Sequence, residues 1–443
     1  MKLGVVSLGC DKATVDSERL VGELVGHGAT VVRELATADV VLVNTCGFID
    51  AAKRESIEAI LEAAALKREG QVKAVVAVGC LIQRYADELR KEIPEVDLFL
   101  GFSDLHKLAP ALAARGLLPD PLATHPGVRQ YLGEGSHVRY LKISEGCDHT
   151  CAFCAIPLMR GKHRSEPLER LVREAQQLEA QGAQEVNLVA QDLGHYGRDL
   201  GKDGPKLPDL LEGLLRETSI RWFRLLYVYS AGLTERLVEL IARERRVVPY
   251  IDIPIQHGSD RMLERMRRPE RQETIRRKVA WLRDAVPDIA IRSTAIVGFP
   301  GETDEDFRIL LDFADEIAFE RLGVFAYSPQ EGTRATAYPD DVPDDVKGAR
   351  QEELLELQRA ISSERLSRYV GRETEVLVDE ALVDDPVPPS GFRRTHLGRV
   401  PWQADDVDGV THVSRGGWAR PGEFVPVRIE ASEDFDFQAS ALP

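Results

Sequence analysis

Apolar positions follow three different rhythms along this chain. Up to about residue 115, near-continuous apolar runs ("LGVVSLGC", "VVLVNTC", "AVVAVGC") alternate with amphipathic stretches such as "SERLVGELVGHG" and "AKRESIEAILEAAALKREG". Runs of that kind are the pattern of parallel strands buried on both faces. Gly70 closes the second helix as a C-cap. The alternation predicts an open α/β sheet over residues 1–115 with right-handed crossovers. Residues 116–136, "GLLPDPLATHPGVRQYLGEGS", carry Pro and Gly without a period and read as a linker.

From 137 to 365 a strand-then-helix unit recurs six times. The predicted strands are "VRYLKIS", "EVNLVAQD", "RWFRLLYV", "VVPYIDIPI", "IAIRSTAIVG" and "RLGVFAYS". Helices such as "PLERLVREAQQLEAQG" and "DEDFRILLDFADEIAF" intervene, the latter capped by Thr303. Six units predict a partial (β/α)6 barrel, short of the usual eight and open on one side to a large substrate. Over 366–438 the rhythm shortens to "TEVLVDEAL", "GRVPWQA", "GVTHVS" and "EFVPVRIEASEDFDFQA", the pattern of a small antiparallel, OB-like β-barrel. Within it, "DDPVPPSGFRRTHLG" reads as a long loop.

Composition narrows the class. With 443 residues, 43% hydrophobic and 29% charged, the chain is globular and long enough for two or three domains. No apolar run approaches the roughly 20 residues of a membrane span. "MKLGVVSLGC" has neither the basic region nor the cleavage site of a signal peptide, so a reducing cytoplasm is expected and disulfides are not. The net charge of −16 argues against a general polyanion binder.

The cysteines change the picture most. Cys147, Cys151 and Cys154 are spaced like a metal site with one ligand missing, since tetrahedral zinc and four-iron clusters both take four donors. His149, inside the motif, reads as a loop histidine rather than the fourth ligand. Cys10, Cys46 and Cys80 each end one of the three apolar runs of the first region. In open α/β sheets ligands sit beyond the carboxyl ends of the strands. Three thiols at equivalent strand ends therefore predict a site, against the alternative of small buried core residues.

Cys-x3-Cys-x2-Cys with Phe153 before the last cysteine resembles the signature of radical S-adenosylmethionine (SAM) enzymes. Cys10, Cys46 and Cys80, with "YIDIPIQHGSDRMLERMRR", "RSTAIVGFPGETDEDF" and a TRAM-like final barrel, extend the resemblance to the methylthiotransferases over essentially the whole chain. The resemblance implies two [4Fe-4S] clusters, each on three cysteines. At the Cys147 cluster the open iron would chelate SAM, whose reductive cleavage gives a 5′-deoxyadenosyl radical. At the Cys10 cluster it would carry the sulfur to be inserted. A second SAM would supply the methyl group. The resemblance also implies a sulfur donor, an electron donor such as flavodoxin or ferredoxin, and a monomer.

Of the family's branches, "SLGCDKATVDSERL" resembles the one acting on an aspartate of small-subunit ribosomal protein S-twelve. It departs from that branch at Asp11 and Ala13, where Pro and Asn are usual. The branch acting on adenosine in tRNA is the alternative; a non-catalytic iron–sulfur carrier or ribosome-binding protein and a structural zinc protein lie outside the family. From Gly371 onward there are seven Arg, no Lys and fourteen Asp or Glu, a net charge of −7. An acidic module suits a basic protein, such as a ribosomal protein, better than tRNA phosphates. The expected SAM contacts are Phe153, Gln191 and Asp192 after the second barrel strand, His257 after the fourth, and Ile296 and Gly298 after the fifth.

Overall fold

The computed structural model describes residues 1–118, 128–133, 135–382, 394–415, 417 and 419–443. Three sheets account for the architecture. The first is parallel, in the order β2-β1-β3-β4-β5, built from β1 (Lys2–Ser7), β2 (Thr30–Val32), β3 (Val40–Thr45), β4 (Ala74–Gly79) and β5 (Leu98–Leu100). Its central strands β3 and β4 are buried at every position, as their unbroken apolar runs require. Strands β2 and β5 were not visible in the sequence because three residues are too few to set up a pattern. The first helix begins at Asp11, six residues before the amphipathic stretch.

The second sheet has six parallel strands in chain order: β6 (Val138–Lys142), β9 (Glu185–Val189), β10 (Trp222–Leu225), β11 (Val247–Asp252), β12 (Ala290–Val297) and β13 (Arg321–Ala326). Two-residue strands β7 (Ser144–Glu145) and β8 (Arg164–Ser165) pair beside it. Sequential order with right-handed crossovers places the helices on one face, which curls the sheet around the other. Strand periodicity divides the side chains accordingly. Val186, Leu188, Phe223, Leu225 and Ile251 pack under the helices. Val138, Trp222, Val248 and Tyr250 face inward, against Val376, Trp402 and Phe437 of the C-terminal module. Thr303 forms the expected cap, its side chain and that of Asp306 bonding each other's backbone N–H.

That module is a closed five-stranded barrel of β14 (Glu373–Ala381), β15 (Arg394–Arg399), β16 (Thr411–Ser414), β17 (Phe424–Ser432) and β18 (Phe437–Ala441), ordered β14-β15-β16-β18-β17. Here two expectations are corrected. "EFVPVRIEASEDFDFQA" is two strands, divided by a turn in which Glu433 N–H reaches Asp436 O. The predicted loop ends earlier than Gly398, because β15 begins at Arg394; its part over 384–393 lies outside the described residues. The barrel is joined to the inner face of the sheet by a buried cluster. Glu185 lies between Arg224 (2.7 Å) and Arg399 (2.6 Å), and Arg399 also holds Asp379.

The linker expectation holds less than the composition implied. Residues 119–127 and 134 lie outside the described set, but Arg129 beyond them is buried. It bonds Glu18 of the first domain, Glu174 of the barrel and the carbonyl of Tyr140. Arg139 adds to Glu18, Arg19 to Glu174, and Lys142 and Arg160 both hold Asp16. The 11–26 helix is thus clamped to β6 by charges, each neutralised by an opposite one as burial demands.

Candidate functional site: two cysteine triads across one wall

The chain leaves β6, passes the β7–β8 pairing and enters the Cys147 loop. Backbone bonds fix this loop from three sides: Cys147 N–H to Gly161 O (3.1 Å), Ala152 N–H to Met266 O (2.9 Å) and Ala335 N–H to Ala152 O (2.8 Å). Cys147 and Cys151 are buried and Cys154 is partly so. Burial pushes the Cys147 thiol up to about 11 and the Cys154 thiol up to about 12, against backbone N–H groups of His149 and Ile156 directed at their sulfurs. Arg268, buried and 3.9 Å over the Tyr229 ring, places its guanidinium 3.9 Å from the Cys151 sulfur. Sulfurs that resist ionisation alone, yet receive N–H donors, are suited to a cationic iron–sulfur centre that supplies the missing charge. The imidazole of His149 bonds Asp192 (2.8 Å), so the histidine inside the motif is engaged elsewhere.

The second triad lies beyond the carboxyl ends of three adjacent strands, β1, β3 and β4. Asn44, at the end of β3, donates to Ala13 O and Ser17 Oγ and so seats the helix that follows Cys10. Ser56 brackets Cys46 by accepting from its N–H and donating to its carbonyl. A Cβ at Gly9 would lie 3.1 Å from Cys46 Cβ, and one at Gly47 2.8 Å from Leu81 N. The three loops therefore approach too closely for any larger residue. Burial raises the Cys46 thiol and takes Cys80 up to about 11, the latter against the nearby Arg160 guanidinium.

One wall serves both triads. Ala155, directly after Cys154, packs with Met159 and Ile156 against Cys80 and Phe102. Arg160, at the end of the same short helix (Ile156–Arg160), stacks over Phe102 at 4.5 Å.

Comparison with known proteins places the chain in a family. Residues 2–101 match Uncharacterized protein family UPF0004, residues 141–314 the Radical SAM superfamily and residues 370–442 the TRAM domain. The chain is 47% identical over 438 residues to the ribosomal protein uS12 methylthiotransferase RimO of Anaeromyxobacter sp. (strain Fw109-5), covering 97% of this chain and 91% of that one. Its counterpart from Symbiobacterium thermophilum is 43% identical over 453 residues, covering 100% and 91%. This chain belongs to the RimO family.

It is a radical SAM methylthiotransferase, and its superfamily implies SAM and a [4Fe-4S] cluster. Its fold is also similar to the radical SAM methyltransferase TsrM from Kitasatospora setae, with a TM-score of 0.55 at 15% identity over 74% of this chain and 76% of that one.

The residues of this RimO-family chain expected to meet SAM differ in what they have free. Both amide atoms of Gln191 are shielded from solvent and have no hydrogen-bond partner among the described residues. Asp192 is already occupied, accepting from Gly194 N–H, Tyr229 N–H and His149 and pairing with His195. Burial works to raise its carboxyl, and the two histidines hold it below the usual value. Phe153 and Ile296 border one apolar cluster with Ala152, Met262, Met266 and Phe299. His257 does not present its ring to a ligand: fully buried, it accepts from Ser259 N–H and meets Glu302 at 3.2 Å. Its neighbour Gly258 is packed against the Asp304–Ile317 helix rather than the site. Gly298 turns at φ +70°, its N–H on Glu302, where a Cβ would lie 2.2 Å from Lys347.

Sequence reasoning missed Arg160 and Tyr229, and it gave no role to Lys12 and Arg268 although both lie in the stretches that carry the resemblance. It also missed an acidic groove of about 760 Å³ between β12, β13 and the C-terminal barrel, lined by Arg292, Arg321, Asp408, Glu433, Asp434 and Asp436 among others.

Proposed function

We propose that this chain transfers a methylthio group to the β-carbon of an aspartate in ribosomal protein uS12. In this reading Cys147, Cys151 and Cys154 hold the [4Fe-4S] cluster that binds SAM, and Cys10, Cys46 and Cys80 hold a second. Loaded in this way, the Cys147 site would supply the electron that cleaves SAM, and the Cys10 site would hold the sulfur that the substrate carbon receives. The observation that carries the reading is the pair of three-cysteine sites sharing the Ala155–Met159–Cys80 wall.

The chain's own residues define the rest. The unpaired amide of Gln191 offers a donor and an acceptor to the polar end of SAM. Phe153 and Ile296 offer an apolar surface to its adenine. A flavodoxin or ferredoxin supplies the reducing electron, and a separate donor replenishes sulfur. The acidic groove and the net charge of −7 in the C-terminal module favour a basic protein substrate over tRNA, whose phosphates call for Lys and Arg.

Anaerobically reconstituted enzyme, reductant and SAM should add one methylthio group to uS12, located by peptide mass spectrometry on an aspartate. Modification of tRNA adenosine with none of uS12 would overturn the proposal.

A further inference from the structure

Two residues after Cys10, the Lys12 side chain leaves the first domain and ends 3.4 Å above the ring of Tyr227, which follows β10. The lysine side chain is only 10% exposed. Among the described residues its ammonium has one ion partner, Asp11 Oδ1 at 3.0 Å. Both Asp11 carboxylate oxygens are shielded, and among the described residues neither makes a well-aligned hydrogen bond. An ammonium has three N–H donors. Here they meet a ring face and one carboxylate, whose charges favour the protonated form of the buried amine. Buried charges are ordinarily paired and hydrogen-bonded, and an ammonium with three donors has room for a second carboxylate.

The surroundings are strained as well. Tyr227 has φ +65°, in the left-handed region that a bulky residue rarely adopts, and its N–H is held by Asp252. Asp252 is itself bound to Arg292 at 3.3 Å, so the next carboxylate along the strand ends has a cation of its own. A tyrosine held in this conformation supports a buried cation, paired to one carboxylate, beside a cysteine of the first domain's triad.

We infer that Lys12 recognises the carboxylate of the substrate aspartate, and that Asp11 holds the place of that carboxylate until the substrate arrives. This rests on the proposed function above and deepens it. The carboxylate of an aspartate is bonded directly to the β-carbon, so a cation that binds it beside Cys10 brings that carbon to the sulfur-bearing triad. Adenosine has no anionic group one bond from its reacting position and would have no use for this lysine.

The test is a two-by-two binding measurement on the reconstituted holoenzyme with SAM and no reductant, so that nothing turns over. Wild type and Lys12→Met are each titrated with uS12 and with uS12 whose target aspartate is replaced by asparagine. Charge-assisted hydrogen bonds predict that wild type prefers aspartate by roughly ten- to a hundredfold. Lys12→Met should bind both forms alike, and Lys12→Arg should restore most of the preference. A structural role for Lys12 would instead weaken both forms equally. If Lys12→Met loses iron, the preference in Lys12→Arg decides the matter: retained, it supports recognition by charge; lost, it overturns it. Asp11→Asn should tighten uS12 several-fold, and weakening would overturn the place-holding role. If wild type modifies uS12 but binds the asparagine form as tightly, the inference fails alone. If wild type does not modify uS12, the underlying function fails instead.

Discussion

Gly47→Ala tests whether the first three cysteines form one site. The added Cβ would stand 2.8 Å from Leu81 N and 2.9 Å from both Cys80 C and Leu81 Cα. Non-bonded carbons settle at about 3.5–4.0 Å, so the Cys80–Leu81 backbone must retreat by roughly 0.7 Å. The obstacle is main chain at the start of a helix, not the end of a flexible side chain. A functional constellation tolerates displacements of about 0.5 Å, so Cys80 should leave its place relative to Cys46. Overpacking costs about 1–3 kcal/mol, less than the roughly 5–15 kcal/mol that holds a domain together. Gly47 is not in the left-handed region, so alanine adds no backbone strain. The expected product is folded protein with one site lost.

The assay is iron per chain after anaerobic reconstitution, together with SAM cleavage and methylthio transfer. Gly47→Ala should hold about half the wild-type iron, cleave SAM and transfer nothing. Gly70→Ala is the matched control. It lies in the same domain with open space around it, but its φ of +75° imposes strain of about 1–2 kcal/mol. It should keep all its iron. Full iron in Gly47→Ala, or equal loss in Gly70→Ala, would refute the argument from close approach.

Three further outcomes follow from the buried polar groups. Gln191→Leu should raise the melting temperature, because it removes unsatisfied amide atoms that each cost about 1–3 kcal/mol, while equilibrium dialysis should show weaker SAM binding. Arg399→Met leaves Asp379 without its guanidinium and Glu185 with Arg224 alone, and should destabilise the chain by about 3–5 kcal/mol in urea titration. His195 is held down to about 4, chiefly by burial. Its unfolded form takes up a proton as pH falls below about 6.5, before the folded form does, so stability should fall between about pH 6.5 and 4. In thermal melts over that range, His195→Gln should flatten the dependence.

What the sequence revealed and what it hid have separate physical causes. Cys46 and Cys80 directly follow strands whose apolar runs are unbroken, so their placement followed from strand direction alone. Thr303 was legible because a cap is a local interaction three residues long. Arg129 was hidden in a stretch whose Pro and Gly read as linker, because its burial depends on Glu18 and Glu174, 111 and 45 residues away. Strands β2 and β5 are held by neighbours in the sheet rather than by their own three residues. His257 looked available because it follows a strand, but its ring orientation depends on Glu302, a contact between separate loops.

The position of Arg160 joins these levels. It follows the Cys147 motif in sequence, yet it bonds Asp16 on the helix that follows Cys10 and lies beside Cys80. Lys142, just before the motif, holds the same Asp16. Segments on both sides of one triad are therefore tied, through a single buried carboxylate, to the helix that follows Cys10 of the other. Loss of one partner leaves a buried charge uncompensated, which is far costlier than the loss of a surface pair. Sliding of one domain against the other would break both bonds together. Buried charge therefore resists a change in the separation of the two triads, which suits the proposed function, where a carbon activated at one would meet sulfur held at the other.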